Sequence, residues 1–495
     1  MNARAHQPGL IVDLFAGGGG ASAGIELALG RSPDIAVNHD PAAIEMHAAN
    51  HPDTRHECKS VWDVTPRIVG RREVALLWAS PDCTHHSRAK GGKPRRQEIR
   101  DLAWVVVEWA RETRPRVICL ENVPEFEGWG PLGPDNRPIP ERAGETFQLF
   151  VGRLRLLGYT VEWRVLAGAD YGAPTTRERL FLVARLDGAP VWPAPSHGTV
   201  RPAPWRTSAE CIDWTIPNCS IFATPEEAKA WRKRVGAAGV PRRPLAEATQ
   251  RRIAEGLRRY VLEAAEPFIL TTGHQSSDSG KVRGLGEPLS TVVTKAEHCL
   301  VAPSLTKFYG SASAGARLDA PVPTVTAGGG RGGGHLGLVS AWVAKHYTGM
   351  VGQDARAPLG TITARDHHSV QPVSMARGEQ ALGRARAVAG FITKYYGSGG
   401  QWSGLGEPMH TIVSRARMGL VTVELDGEPY TITDIGLRML QPRELARAQG
   451  FPDDYVLTGT KAQQVARIGN SVCPQVVEAL VRAQFEGGVR AEVAA

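Results

Sequence analysis

The sequence predicts an α/β fold: a mostly parallel, doubly wound sheet interrupted by a β-rich, repeat-containing insertion. Three observations carry the prediction. From Gly9 to about Leu186 short β-rich runs alternate with helical patterns. A Pro-, Trp- and Gly-rich texture with an internal repeat follows, and helical patterning returns after about residue 436. At 495 residues the chain also exceeds what one hydrophobic core usually serves, so a second domain or a large insertion is expected.

The candidate strands are LIVDLF, IAVNHD, VALLWAS, VICLENV, TVEWRVL and RLFLVARL. Between VALLWAS and VICLENV, the stretch from Glu98 to Thr113 sets Ile99, Leu102, Ala103, Val106, Trp109 and Ala110 on one face of a predicted helix. Asp40 followed by Pro41 reads as a capping residue and a first-turn proline. Beyond Leu186, VWPAPSHGTVRPAPW marks a boundary, and PLAEATQRRIAEGLRRYVLEA predicts one more helix. Four related elements then begin at Pro288, Pro321, Pro358 and Pro408, spaced by 33, 37 and 50 residues. Each follows an aromatic run (FILTTG, LTKFYGS, WVAKHYTG or FITKYYGS), which predicts hairpin-like units. These units read either as a stacked scaffold or as a nucleic-acid surface presenting Gly-rich tips with Lys307, Lys345 and Lys394. Near the end, Pro442 suits the first turn of a helix that stops at Gly450 and Pro452, and another helix starts near Pro474.

Fifty-eight Lys and Arg against 50 Asp and Glu leave a net charge of +8, which favours a polyanionic partner where the excess is clustered. RAKGGKPRRQ, from Arg88 to Gln97, is such a cluster; WRKR and PRRP between Trp231 and Pro244 are others. Seven cysteines without CxxC pairs or histidines at zinc spacing argue for a reducing compartment and against a metal site. No run of 18 apolar residues and no signal-peptide core is present, so a soluble, cytoplasmic protein without a membrane partner is expected.

The chemistry concentrates at strand ends. DLFAGGGGASAG, Asp13 to Gly24, follows a strand and opens a helix, so its glycines can bring backbone close to a ligand at the sheet's carboxyl edge. Asp40 lies where an acid can hold ribose hydroxyls, which equally fits a dinucleotide site, or it only caps its helix. SPDC, Ser80 to Cys83, ends one strand and ENV, Glu121 to Val123, ends another. A thiolate and a carboxyl group delivered this way can converge on one small planar substrate.

These motifs, in this order, resemble the S-adenosylmethionine-dependent DNA (cytosine-5) methyltransferase family over roughly 1–190 and 436–485. DLFAGGGG resembles its cofactor loop, SPDC its nucleophile motif, ENV its acid motif and TTRERLFLVA its Arg-x-Arg motif. RMLQPRELARAQGFPD and GNSVCPQV resemble its closing motifs. Three positions depart from the family's usual residues: Asp82 before the nucleophile, Thr84 after it, and Thr175 at the start of the arginine motif.

The resemblance implies a Rossmann-like methyltransferase fold and the reacting groups Cys83, Glu121, Arg177 and Arg179. It assigns S-adenosylmethionine, with no metal, to Asp13, Phe15, Gly17, Gly19, Asp40, Asp63 and Asn470: Phe15 stacking on adenine, Asp40 holding ribose and Asp63 accepting from the adenine amino group. Asp63 reads alternatively as a turn cap. Double-stranded DNA is the implied partner, gripped while a cytosine is flipped out by Ser87, Arg88, Lys90, Lys93, Arg95 and Arg96. His85 and His86 lack a third candidate metal ligand.

The implied organisation is a catalytic domain from 1–195 and 436–485, an inserted target-recognition domain of four β-rich repeats over 196–435, and a tail over 486–495. A monomer in a prokaryotic or phage setting, associated with the nucleoid, is expected, and a cognate restriction endonuclease is the candidate protein partner. Two rivals share the scaffold: an RNA cytosine methyltransferase, and a catalytically silent DNA-binding relative. The retained Cys83, Glu121 and Arg179 speak against the second.

Overall fold

The computed structural model of the chain describes residues 9–83, 86, 97–206, most of 208–235, 243–245, strand segments between 269 and 439, and 441–492. It divides into two compact units, one of 1–204, 362–364 and 446–495, the other of 205–361 and 365–445.

The first unit is built on a seven-stranded sheet. Its strands are β1 (Leu10–Leu14), β2 (Ile35–Val37), β3 (Arg55–Glu57), β4 (Val74–Ala79), β5 (Val117–Asn122), β6 (Thr160–Ala167) and β7 (Glu178–Arg185), in the order β3-β2-β1-β4-β5-β7-β6. Neighbours from β3 to β5 run parallel, and β7 runs antiparallel to both β5 and β6. All six strands expected from the sequence are present. The seventh, β3, is only three residues long and reads RHE, with no apolar alternation to betray it.

Both faces of the sheet are covered, which explains the nearly continuous apolar runs in its central strands. Along β1, Leu10, Val12 and Leu14 face a core that includes Trp109, Phe126, Phe147 and Phe150. Those aromatics come from α4 (Trp104–Thr113), the turn after β5, and α5 (Glu145–Leu156). Ile11 faces the opposite core, with Ile25 of α1 (Gly20–Leu29) and Val477 and Leu480 of the C-terminal helix. β5 alternates likewise: Ile118 and Leu120 serve the first core, Val117 and Cys119 the second. The continuous helix expected from Glu98 to Thr113 is instead broken. A single turn, α3 (Gln97–Arg100), leads through a 3₁₀ turn, Asp101–Ala103, into α4. The break turns Val105 inward with Val106, while Ile99 and Leu102 stay partly exposed.

Asp40 caps α2 (Pro41–Asn50), its side chain accepting from the Ala42 amide at 3.0 Å. The second unit holds α6 (Pro225–Val235) and a ten-stranded sheet. Its pairs are antiparallel except that His298–Leu300 runs parallel to His368–Ala376. Three of the four aromatic runs carry strands: Ile269–Thr271, Ser304–Phe308 and His335–Lys345. FITKYYGS, the four Pro-x-x-Thr elements and the helix expected after Pro244 lie outside the described residues.

The chain ends in α7 (Pro442–Gln449), α8 (Lys461–Asn470) and α9 (Pro474–Glu492), which therefore runs into the expected tail. Among the described residues no helix is long and apolar enough to cross a membrane. Helix α9 packs on α1 so tightly that Gly24 has no room for a side chain. A Cβ there would meet the Pro474 carbonyl and lie 2.5 Å from Val477 Cβ. Alanine would gain about 1 kcal/mol of helix propensity. Forcing apart a backbone contact costs about 1–3 kcal/mol, so the clash wins. Gly24→Ala is expected to lower the urea midpoint without changing the slope of the transition.

Candidate active site

The topology brings the chemical motifs to one edge. Strand order reverses between β1 and β4, and ligands of such sheets bind beyond the carboxyl ends of strands at that point. The loops after β1, β2 and β4 carry Phe15 to Gly19, Asp40 and Cys83, and Glu121 is the penultimate residue of β5.

The Cys83 loop is anchored from both neighbouring strands. The Ser80 amide donates to the Leu14 carbonyl at 3.2 Å, and Asn122 Nδ2 donates to the Pro81 carbonyl at 3.1 Å. Asn122 was not singled out by its sequence, although it sits inside ENV; only the strand pairing shows that its side chain reaches the nucleophile loop. His86, whose amide donates to the Cys83 carbonyl at 3.0 Å, is buried edge-on against Phe126 and Trp129. Its ring thus belongs to an aromatic cluster.

Glu121 and Arg179 form an ion pair across β5 and β7, Nε to Oε1 at 3.0 Å, with side chains only 7% and 8% exposed. The register explains the meeting: Glu121 lies opposite Phe181, and Arg179 is two residues along β7 on the same face. The arginine's Nη1 also donates to the Glu178 carbonyl at 2.7 Å. Arg177 is buried beside it, and burial, then the like charge of Arg179, push its guanidinium down to about 9. The Arg177 amide donates to Thr175 Oγ1 at 3.3 Å, so the unusual threonine orders the turn that delivers both arginines.

Cys83 shares this electrostatic environment. The protein crowded around it pushes the thiol above its ordinary value; Arg179 and Arg177 pull it down, while Glu121 and Asp82 push it up. Four charges converging on one half-buried thiol make a site in which nucleophile, carboxylate and paired guanidinium act on one another.

The cofactor candidates separate into two groups. Phe15 and Gly17 are half-buried with left-handed backbone, φ 66° and 54°, and Asp40, Asp63 and Asn470 are exposed. Asp13 and Gly19 are instead buried. Asp13 accepts from Ser22 Oγ at 2.7 Å beneath α1, and burial, opposed by that hydrogen bond, pushes its carboxyl up to about 7. Asp13 therefore shapes the loop from below. Ser22 in turn meets His47 Nε2 at 2.8 Å, and His47 Nδ1 meets His56 Nε2 at 2.8 Å. The sequence carried no signal for this polar chain, because its members lie on four elements. Ser87, Arg88, Lys90, Lys93, Arg95 and Arg96, with His85, lie outside the described residues.

Residues 10–205 and 383–486 match the C-5 cytosine-specific DNA methylase family. The chain belongs to that family. Among its relatives, Type II methyltransferase M.AquIA of Picosynechococcus is 30% identical over 246 residues, 45% of this chain and 93% of that protein. Type II methyltransferase M1.HphI of Haemophilus parahaemolyticus is 28% identical over 38% of this chain and 48% of its own length. For M.XorII of Xanthomonas oryzae pv. oryzae the identity is 34%, covering 38% and 43%. The chain thus spans nearly all of one relative and under half of the other two.

As in any thiol, the reactive form of the methylase's Cys83 is the thiolate. With its titration shifted upward, alkylation of Cys83 by iodoacetamide, followed at the peptide level by mass spectrometry, is expected to rise roughly tenfold per pH unit from pH 7 and still climb near pH 9. A plateau near neutrality would show a thiol already activated in the free protein.

Proposed function

We propose that this chain methylates carbon 5 of cytosine in double-stranded DNA, using S-adenosylmethionine and transient covalent attack by Cys83. One observation carries the reading: Cys83 lies within the electrostatic reach of the buried Glu121–Arg179 pair at adjacent strand ends. Family membership supports it. The residues fit the cofactor: Gly17 offers a half-buried turn at the carboxyl edge of β1, with the exposed carboxylates of Asp40 and Asp63 to accept from hydroxyl and amino groups.

Carbon 5 of cytosine is a poor nucleophile while the ring is aromatic. The Cys83 thiolate forms a bond to carbon 6, and the displaced electron pair moves towards carbon 5 and ring nitrogen 3. Glu121, with a proton taken up on the oxygen not facing Arg179 as the base is seated, donates it to nitrogen 3 as charge builds there and takes it back when the ring is restored, and Arg179 keeps the carboxyl group in place. A proton held between Glu121 and nitrogen 3 offsets the carboxylate's push on the Cys83 thiol, so seating the base promotes the thiolate. Bound S-adenosylmethionine supplies an electrophilic methyl group to carbon 5. Loss of the carbon 5 proton to a base then returns the electron pair that expels Cys83 as thiolate and restores the ring. Arg177 and Arg179, as fixed donors, suit the cytosine carbonyl oxygen.

Because duplex DNA hides carbons 5 and 6, the base must be flipped out at a cost of a few kcal/mol, about what several phosphate contacts offset. The basic stretch from Ser87 to Arg96 is the proposed source of those contacts. The Type II names of the relatives support a restriction–modification setting, with a cognate restriction endonuclease as candidate partner.

Bisulfite sequencing of DNA from a methylation-free host expressing the chain tests activity and target together. Cys83→Ala should abolish methylation there, and Glu121→Gln should slow turnover by more than about tenfold, or 1.4 kcal/mol of barrier. Wild-type protein should form a covalent adduct with a mapped target carrying 5-fluorocytosine, whose fluorine cannot leave as a proton. A Cys83→Ala protein with near-normal turnover would refute the mechanism.

Target choice we assign to residues 196–435. Side chains reaching base edges must supply it, and the aromatic, basic repeats are the largest source beyond the catalytic motifs. Replacing this segment with that of a relative of different target should transfer the relative's specificity. An active hybrid that keeps the original target would leave the repeats as scaffold.

A further inference from the structure

Four consecutive glycines, 17 to 20, open the cofactor loop, and they serve two different neighbours. A side chain on Gly17 would meet only the Phe15 carbonyl, 3.7 Å away, so this position is open towards a ligand. Gly18, Gly19 and Gly20 are buried against the chain's own closing segment. A Cβ on Gly18 would lie 3.2 Å from Arg467 Cβ, and one on Gly20 would lie 2.6 Å from the Val472 carbonyl. On Gly19, where φ is 89°, it would overlap the Tyr455 hydroxyl.

Tyr455 is bonded to the loop as well as packed on it. Its hydroxyl donates to the Gly18 carbonyl at 2.8 Å, across a sequence separation of 437 residues. The carbonyl can only accept, so the hydroxyl proton is committed to it; His51 Nε2 lies 3.4 Å from the same hydroxyl. The other nitrogen of His51 lies 3.0 Å from Glu26 Oε2 on α1 and 3.0 Å from Ser32 Oγ. Two further bonds fix the segment itself: Asn50 Nδ2 donates to the Val456 carbonyl at 3.0 Å, and the Val456 amide donates to Asn50 Oδ1 at 2.7 Å. The Tyr455 ring packs on Phe451, centroids 4.7 Å apart.

Resting on the functional reading above, we infer that Tyr455 is a positioning residue for S-adenosylmethionine: by holding the Gly18 carbonyl it fixes the Gly18–Gly19 peptide, and with it the backbone next to Gly17, the loop position open to the cofactor. Tyr455 touches neither cofactor nor DNA in this role. Its contribution is to keep a glycine-rich loop, the segment with most backbone freedom to lose, in one conformation before the ligand arrives. Removing the hydroxyl frees that peptide to rotate, and the cofactor then has to order it.

The test is calorimetric titration of S-adenosylmethionine into full-length wild-type and Tyr455→Phe proteins, with duplex affinity and thermal stability measured alongside. The phenylalanine variant keeps the ring packing and loses one hydrogen bond, so its cofactor Kd should rise between about twofold and tenfold, while its Kd for a duplex carrying the mapped target is unchanged. A tyrosine that merely stabilises the fold would lower the melting temperature and leave the cofactor Kd as it was; that result overturns the inference. Should Tyr455→Phe fail to fold, Asn50→Ala, which releases Val456 from the other side, must weaken cofactor binding in the same direction, and an unaltered Kd there overturns it equally. Wild-type protein that neither binds the cofactor nor methylates DNA would remove the functional reading itself, whereas wild-type activity with an unaffected variant removes only the role of Tyr455.

Discussion

The buried ion pair between Glu121 and Arg179 is the constraint around which the active edge is organised. Neither charge is tolerable there alone, since removing one partner of such a pair strands the other at a cost of about 3–5 kcal/mol. The pair therefore requires β7 to lie beside β5 in the observed register, which in turn requires β7 to run antiparallel between β5 and β6. It also determines what Cys83 experiences. A carboxylate fixed by a guanidinium presents the thiol with two opposing charges, whose balance shifts in the proposed mechanism when a base engages the carboxylate. A buried ion pair is weak evidence for stability, but here its geometry makes one side chain's chemistry depend on another's occupancy.

The proposed mechanism thereby ties reactivity to substrate. A thiol held above its ordinary titration range is a poor nucleophile at neutral pH, which protects it from adventitious alkylation and oxidation. Cys119 and Cys473, fully buried and pushed up to about 12 and about 11, are inert for the simpler reason of desolvation. Arg177 and Arg179 lower Cys473 as they do Cys83, and Cys83 differs in being only half-buried.

Much of this arrangement was legible in the sequence because strand ends are where periodicity and chemistry coincide. VALLWAS and VICLENV are apolar runs that stop at a polar residue type, so SPDC and ENV could be placed at one sheet edge without knowing the sheet order. Asp40 is indeed a helix cap, with its exposure leaving the ribose role compatible. What escaped was every contact made across distance. β3 has no pattern of its own and exists because β2 offers it an edge. The glycine run looked like an adaptation to a ligand, yet at Gly19 and Gly20 residues 455–472 leave no room for a Cβ, and at Gly18 they leave little. The roles of Asn122, Thr175, Ser22 and His47 depend on partners in other elements or on turn geometry, and no spacing rule exposes them.

That last class of contact bears on how the protein folds. The loop that opens α1 is among the first parts of the chain to be synthesised, while the residues that mould it lie more than 400 positions later, beyond the inserted repeats. Contacts of such separation are entropically expensive to close and form late. Until the closing segment docks, Gly18 to Gly20 lack the steric wall, and the Gly18 carbonyl lacks the Tyr455 hydrogen bond, that confine the loop. The proposed cofactor site is therefore among the last features to be completed, and the helices that return after the insertion are a structural support of the loop that forms it.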